Sequence, residues 1–139
     1  MSELKLRLHP ETLAVGMVPA HVNLALTGGN APLHGSLTTA AGRTIIFPYS
    51  LAAEAGREVR VEGPFRALEA DGPLGFALTG ILSALLVPLA AAEISVFTLS
   101  TFDTDWILVP ADAAETAAEV LTEAGHIVDG LAQHTEENR

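Results

Sequence analysis

The chain has 139 residues, of which 49% are hydrophobic and 17% are charged. This length and composition predict one compact domain, or two half-domains that share a core, and exclude extensive intrinsic disorder. The formal net charge of −10 repels phosphate backbones and anionic lipid surfaces, which argues against nucleic acid and membranes as partners.

The chain contains no cysteine, which excludes a disulfide framework, thiol catalysis and cysteine-based zinc sites. The N-terminal residues MSELKLRLHPE lack an apolar run of signal-peptide length. The longest apolar run, 80–92, is too short to cross a bilayer. These observations predict a cytoplasmic protein.

The first part of the chain is typical of strands. Leucines alternate with polar residues over 4–8, which predicts a half-buried strand that ends at Pro10. A second strand is predicted over 13–18. After a loop rich in turn-forming residues, 37–40 and 44–49 are typical of a β-hairpin. No long helix is predicted in this part.

The second part begins with an alternating segment, 57–64, which predicts another strand, followed by a loop that leads to Leu78. Apolar residues at four-residue spacing over 80–92 predict a helix that is apolar nearly all round and therefore buried. Pro88 lies inside it and removes the hydrogen bond to the Ala84 carbonyl, so a kink is expected.

Two further strands are predicted over 94–101 and 105–109, where β-branched and aromatic residues flank a short turn. After Pro110, a helix is expected with Asp112 as its N-cap and Gly125 at its end. Residues 126–131 are predicted as a final strand. The order strand, helix, strand, strand, helix, strand is that of the ferredoxin-like βαββαβ unit, an α+β fold.

Three segments resemble the ACT-domain family, and in particular small bacterial tandem-ACT proteins related to aspartate kinase ACT domains and to eukaryotic arginine-sensing ACT proteins. They are VEGP at 61–64, LTGILSALLVPLAAAEISVF at 78–97 and LSTFDTDWILV at 99–109. The N-terminal part matches only loosely, through its strand pattern.

The resemblance implies tandem ACT units with an antiparallel sheet and helices on one face. We therefore divide the chain into a degenerate ACT-like half over 1–56, an ACT domain over 57–132 and a flexible tail over 133–139. The resemblance also implies a homodimer that binds a free amino acid between ACT units and regulates an enzyme or another regulator. It implies no cofactor.

The start of the predicted helix is suited to a ligand carboxylate. At Thr79, Gly80 and Ile81 the backbone N–H groups are not used within the helix, and the positive end of the helix dipole favours an anion. Glycine also allows a ligand to approach the backbone closely.

The α-ammonium group of an amino acid needs acceptors, and Thr101, Asp103 and Asp105 are predicted at the same end of the sheet. A charge-assisted hydrogen bond there contributes about 1.5–3 kcal/mol. The resemblance implies that Ser95 and Val96 of a neighbouring unit complete the site and that Phe102 lines its side-chain pocket.

The identity of the ligand side chain is less constrained. Relatives that bind arginine carry an acidic residue just before the helix-start glycine, where this chain has Ala77 and Leu78. This difference argues against a cationic side chain and favours an apolar or small one. The RALEADG stretch between Pro64 and Pro73 is a further departure from close relatives at the entrance to the site.

Two other functions remain open. The chain could be a structural or protein-interaction module that keeps the ACT fold without a ligand, with Thr79 and Gly80 as an ordinary helix start and Asp103 and Asp105 as turn formers. It could also be a small enzyme with one of these aspartates as the base, but no catalytic motif supports this. The five histidines have no metal-binding spacing, so no metal site is predicted.

Overall fold

The computed structural model describes residues 3–26, 28–70 and 78–130. The chain divides into two compact units. The inserted unit is Glu11–Phe65, and the terminal unit combines Met1–Pro10 with Arg66–Arg139. The predicted division between residues 56 and 57 concerns ACT repeats, and it stays a prediction. Within the described residues, no helix combines the length and hydropathy that a bilayer-spanning helix requires.

The described residues form strands, two helices and two short 3-10 turns. The strands are β1 (Lys5–Pro19), β2 (Gly35–Thr39), β3 (Gly42–Pro48), β4 (Arg60–Ala70), β5 (Phe97–Ser100), β6 (Asp105–Pro110) and β7 (Ile127–Asp129). The helices are α1 (Leu78–Ala91) and α2 (Ala114–Glu123), and the 3-10 turns are Tyr49–Glu54 and Ala111–Ala113.

The inserted unit contains the strand order β2-β3-β1-β4. The predicted hairpin is confirmed, because β2 and β3 pair in antiparallel register from Gly35↔Ile46 to Thr39↔Gly42. Gly42 is required at the turn, since its φ is +148° and a Cβ atom would lie 2.6 Å from the Val18 carbonyl oxygen. Val18, Ile45, Phe47 and Val59 are part of the core of this unit.

The terminal unit contains the order β7-β1-β4-β6-β5. Helices α1 and α2 pack on one face of this sheet, as predicted. The core brings strand residues together with Ile81, Leu85 and Leu89 of α1 and Leu121 of α2. The strand residues are Leu4, Leu6 and Leu8 from the N-terminal segment, Leu68 of β4, and Ile107 and Val109 of β6.

The predicted end of the first strand at Pro10 is wrong. Strand β1 runs from Lys5 to Pro19 without a break, and Pro10 lies where the strand changes partners. Its pairing with β7 ends at Arg7 and its pairing with β3 begins at Leu13. A missing N–H group is tolerated in a strand where no ladder bond depends on it.

The loop predicted after residue 64 begins later than expected, because β4 continues as far as Ala70. Phe65, Ala67 and Leu68 of this extension are buried, and burial of apolar side chains favours the extended conformation here. The rest of the predicted loop, 71–77, lies outside the described residues.

The last strand pairs differently from the last strand of an isolated βαββαβ unit. Strand β7 pairs in parallel with β1, with Lys5↔Ile127 in register, and β1 lies beside β4. The N-terminal strand therefore occupies the position between β4 and β7. A parallel pair is consequently present in a sheet whose strands pair antiparallel over β2–β3, β3–β1 and β5–β6.

His126 satisfies the carbonyl that Pro88 leaves without a partner. Pro88 has no N–H group to bond with Ala84, and the Nε2 atom of His126 lies 3.4 Å from the Ala84 carbonyl oxygen. The Nδ1 atom accepts the N–H of Leu4 at 3.2 Å. His126 is only 4% exposed, so it joins α1 to the first strand inside the core.

The predicted C-terminal end of α2 at Gly125 is confirmed, whereas the predicted N-cap at Asp112 is wrong. Gly125 has a φ of +103°, and the N–H groups of Gly125 and His126 bond to Thr122 and Leu121, the pattern of a Schellman end. Asp112 instead lies in the preceding 3-10 turn, and the helix N-cap is Ala113 with no side-chain cap.

Candidate ligand-binding site

The first turn of α1 has one open position and one anchored position. Among the described residues outside the backbone of α1 and the neighbours of Gly80, no atom lies within 4 Å of the place where a Cβ atom would stand on Gly80. The next residue, Ile81, is 2% exposed and packs in the core of the terminal unit. Thr79 belongs to the same turn. The first four N–H groups of a helix lack helical partners, so this end can accept an anion.

The turn between β5 and β6 is closed by its own hydrogen bonds. The N–H of Thr101 donates to the Thr104 carbonyl at 2.8 Å, and the N–H of Thr104 donates to the Thr101 hydroxyl at 3.3 Å. The Thr104 hydroxyl donates to the carbonyl of Ala70, the last residue of β4. The turn is therefore attached to the end of β4.

Asp105 carries an acceptor that no described residue uses. The residue is 1% exposed, and its Oδ1 atom accepts the Ser100 hydroxyl at 2.5 Å. Its Oδ2 atom is buried and has no hydrogen-bond partner among the described residues. An unsatisfied buried polar group costs about 1–3 kcal/mol, and more when it is charged.

The position of Asp105 in the terminal unit follows from the alternation of side chains along β6. This alternation puts Asp105 on the same face as Ile107 and Val109, which pack against the helices. Asp105 follows Thr104, which is bonded to Ala70, the last residue of β4. The start of α1 at Leu78 follows Ala70 after residues 71–77, which lie outside the described part of the chain.

The other predicted residues lie in the β5–β6 turn or away from it. Thr101, Phe102 and Asp103 are exposed in the turn, and the Phe102 side chain is fully exposed. Ser95 is exposed, whereas Val96 is half-buried against the core. Both precede β5 and lie at the end of that strand opposite the turn. Within one chain they are therefore remote from Asp105. Ala77 lies outside the described residues.

Sequence reasoning missed two hydroxyl residues of the turn. Ser100 bonds one oxygen of Asp105, and Thr104 attaches the turn to β4. The signal for both was present, because each hydroxyl residue flanks the turn next to a residue that was singled out. Periodicity alone does not say which hydroxyl reaches another strand.

A second buried polar group lies on the opposite face of β6. Trp106 is 7% exposed and stacks on His9, with ring centroids 5.5 Å apart. His9 in turn contacts Glu69 at 2.9 Å between Nε2 and Oε1. The Nε1 atom of Trp106 has no partner among the described residues. Trp106 is thus part of the packed interior rather than an exposed platform.

Comparison with known families bears on residues of this same unit. The ACT-domain family model matches residues 60–123. The matched residues, called the ACT segment below, include β4, α1, the β5–β6 turn and all of α2. They therefore contain both the start of α1 and Asp105.

Curated relatives match about half of this chain. The human protein named cytosolic arginine sensor for mTORC1 subunit 1 is 42% identical over 72 residues, which cover 52% of this chain and 20% of that protein. The mouse protein of the same name is 38% identical over 72 residues, covering 52% of this chain and 19% of its own length. The chain thus spans about a fifth of the length of these relatives.

Solved structures show that most of the chain has an ACT-type α+β fold. A crystal structure of a protein from Agobacterium tumefaciens has a TM-score of 0.79 and 25% identity, covering 92% of this chain and 93% of that one. The ligand-free regulatory subunit of aspartate kinase from Thermus thermophilus has a TM-score of 0.59 and 14% identity, covering 86% and 96%. The second likeness is one of fold alone.

Proposed function

We propose that this chain is a non-catalytic regulatory protein that senses a free amino acid between ACT units. The observation that carries the proposal is the buried Asp105 carboxylate, whose Oδ2 atom has no partner among the described residues. An amino acid offers an ammonium group for this oxygen and a carboxylate for the start of α1. The names of the relatives, an arginine sensor and an aspartate kinase regulatory subunit, agree with a regulatory role.

The two halves of the proposed site match the two charged groups of an amino acid. The first N–H groups of α1 have no partner within the helix, and the helix dipole favours a ligand carboxylate there. Asp105 accepts the ammonium group in a buried setting, where a charge-assisted hydrogen bond contributes about 1.5–3 kcal/mol. Ser100 orients the carboxylate through its other oxygen. Thr101 and Asp103 line the exposed rim of the turn.

We propose an apolar or small side chain for the bound amino acid. The chain has alanine and leucine at positions 77 and 78, so neither of these two positions carries a carboxylate that could neutralise a cationic side chain. Arginine, which the curated relatives' name specifies for those proteins, is the informative competitor.

We propose a homodimer in which the second copy completes the site. Ser95 and Val96 lie at the other end of β5 from the turn, so they reach an amino acid at Asp105 only from another ACT unit. Phe102 is fully exposed in the isolated chain, and a neighbouring unit would bury its ring. Light scattering should therefore show a dimer that Phe102→Ser weakens without unfolding the chain, whereas a wild-type monomer at micromolar concentration contradicts the dimer.

The sensing proposal is tested by a thermal-shift screen of the purified chain against the twenty amino acids. A ligand at 100 times its dissociation constant stabilises the folded state by about 2.7 kcal/mol. We expect one apolar or small amino acid to give a shift that Asp105→Asn removes. Asp103→Asn is the matched control, because Asp103 is exposed in the same turn, and it should keep most of the shift.

The outcome separates the functions that the sequence left open. A thermal shift with arginine but not with apolar amino acids supports the sensing function and contradicts the proposed apolar or small ligand. A response that survives Asp105→Asn places the ligand elsewhere. No response to any amino acid favours the structural or protein-interaction module.

A further inference from the structure

The inserted unit contains a cleft of its own, separate in sequence from the ACT segment. It has a volume of about 370 Å³, which is within the range of small-molecule sites. One wall is the β2–β3 hairpin and the other is the segment 24–26. Its apolar lining includes Leu24, Leu26, Ile45 and Phe47. A ligand with an apolar body of a few carbon atoms fits this lining.

A single permanent cation lies in the lining of this cleft. Arg43 stands on β3, and one terminal nitrogen of its guanidinium donates to the Leu24 carbonyl. This bond holds the two walls together and uses one of the five N–H donors of the side chain. Arg43 has no carboxylate partner among the described residues. The remaining donors form a planar fork that matches a carboxylate.

The other polar groups of the cleft also favour an anion. Ser36 pairs with Ile45 across the hairpin, so its hydroxyl lies on the same face as Arg43 two residues away along β3. His34 lines the cleft just before β2. The described lining contains no aspartate or glutamate, so an ammonium group would find no charged partner there. In a chain of net charge −10, this is a local site for negative charge.

We propose that the cleft binds a small organic carboxylate with an apolar body and no α-ammonium group. The Arg43 guanidinium and the Ser36 hydroxyl hold the carboxylate, and the apolar wall holds the carbon chain. The site is distinct from the amino-acid site at Asp105, because its residues belong to the inserted unit. It also disfavours the α-ammonium group that the site at Asp105 accepts. The chain would then bind two classes of small molecule, a free amino acid and a carboxylate without an ammonium group.

The test uses three probes that share a six-carbon chain. Hexanoate has the carboxylate alone, hexan-1-ol lacks the charge, and norleucine adds an α-ammonium group to hexanoate. Each is titrated into the full chain while backbone amide shifts are followed by NMR. We expect hexanoate to shift amides of 24–26, 34–36 and 43–47, with an affinity at least about tenfold above that of either other probe.

Three variants connect the binding to the cleft. Arg43→Gln removes the charge and shortens the side chain by two bonds, and it should weaken hexanoate binding by about tenfold or more. Ser36→Phe places a large side chain in the cleft from an exposed position on β2, and it should weaken hexanoate equally. Arg57→Gln makes the same charge change at an exposed arginine outside the lining, and it should leave binding unchanged.

Several results would overturn the proposal. Equal binding of hexan-1-ol shows that charge is not recognised, and equal binding of norleucine shows that the ammonium group is not rejected. Shifts confined to other residues, or none at millimolar hexanoate, exclude the cleft. If Arg43→Gln does not fold, hexanoate binding by Ser36→Phe tests the cleft instead, and unchanged binding contradicts the proposal. Asp105→Asn should not alter hexanoate binding, so failure at one site is distinguishable from failure at the other.

Discussion

Two buried polar side chains of the terminal unit, His126 and Asp105, have opposite hydrogen-bond states. Both nitrogens of His126 face backbone partners, the Leu4 N–H and the Ala84 carbonyl. Only one oxygen of Asp105 has a partner among the described residues. A buried polar group that is fully satisfied contributes to folding, whereas one that is left unsatisfied lowers stability until a ligand or partner reaches it. On this contrast we propose that His126 serves the fold and that Asp105 serves binding.

The largest effect is expected at His126. Replacement by alanine leaves the Leu4 N–H and the Ala84 carbonyl buried without partners and opens a cavity, so His126→Ala should lower the free energy of unfolding by about 2–4 kcal/mol. Urea denaturation measures this change. His21→Ala, at an exposed histidine, should change stability by less than about 0.5 kcal/mol.

A second substitution separates the hydrogen bonds of His126 from its volume. In His126→Asn the amide oxygen can still accept the Leu4 N–H, so this variant should retain part of the stability that alanine loses. Equal losses for asparagine and alanine would mean that packing, and not hydrogen bonding, explains the role of His126.

The next effect concerns the bond that attaches the turn to β4. Thr104→Val keeps the shape of the side chain but removes the hydroxyl that donates to Ala70, and it should cost about 1–2 kcal/mol of stability. Because the turn carries Asp105, the variant should also weaken the amino-acid response. Thr98→Val, on exposed β5, provides the control. A Thr104→Val protein with unchanged stability would show that this bond does not hold the turn.

Substitution of Asp105, unlike that of His126, should not lower the stability of the ligand-free protein. Asp105→Asn replaces a buried carboxylate by a neutral group of the same shape, so the ligand-free protein should keep its stability or gain up to about 1 kcal/mol. The amino-acid response should nevertheless be lost. Denaturation with and without the responsive amino acid measures both effects. A loss of stability as large as that of His126→Ala would assign Asp105 to structure and remove the contrast.

The smallest effect is expected at Gly80. Alanine has a higher helix propensity, and no atom of the described residues beyond the helix backbone and the neighbours of Gly80 obstructs its Cβ. Gly80→Ala should therefore stabilise the ligand-free chain by about 0.5 kcal/mol. The same methyl group would occupy the space through which a ligand approaches the helix start, so the amino-acid shift should shrink. Thermal denaturation with and without the ligand compares the two. An unchanged ligand shift would place the carboxylate away from Gly80.

The sequence by itself determined much of the local structure. The alternation of leucines over 4–8 predicted a strand, the Ala41-Gly42 turn predicted the β2–β3 hairpin, and Gly125 predicted the end of α2. These features depend on side-chain period and on the backbone freedom of glycine, both of which are local. The ACT resemblance led to the hypothesis that the helix start and Asp105 bind a ligand, which stays a prediction. It did not indicate that Ser100 bonds Asp105 or that Thr104 attaches the turn to β4.

Only the tertiary structure decided which distant groups meet. It continues β1 through Pro10, pairs β7 with β1, brings His126 to the carbonyl left by Pro88, and attaches Thr104 to Ala70. It also brings Arg43 to the segment 24–26 to form a cleft that no motif indicated. These outcomes depend on long-range pairing and burial, and a periodic pattern says which face of a strand is buried but not which strand lies beside it.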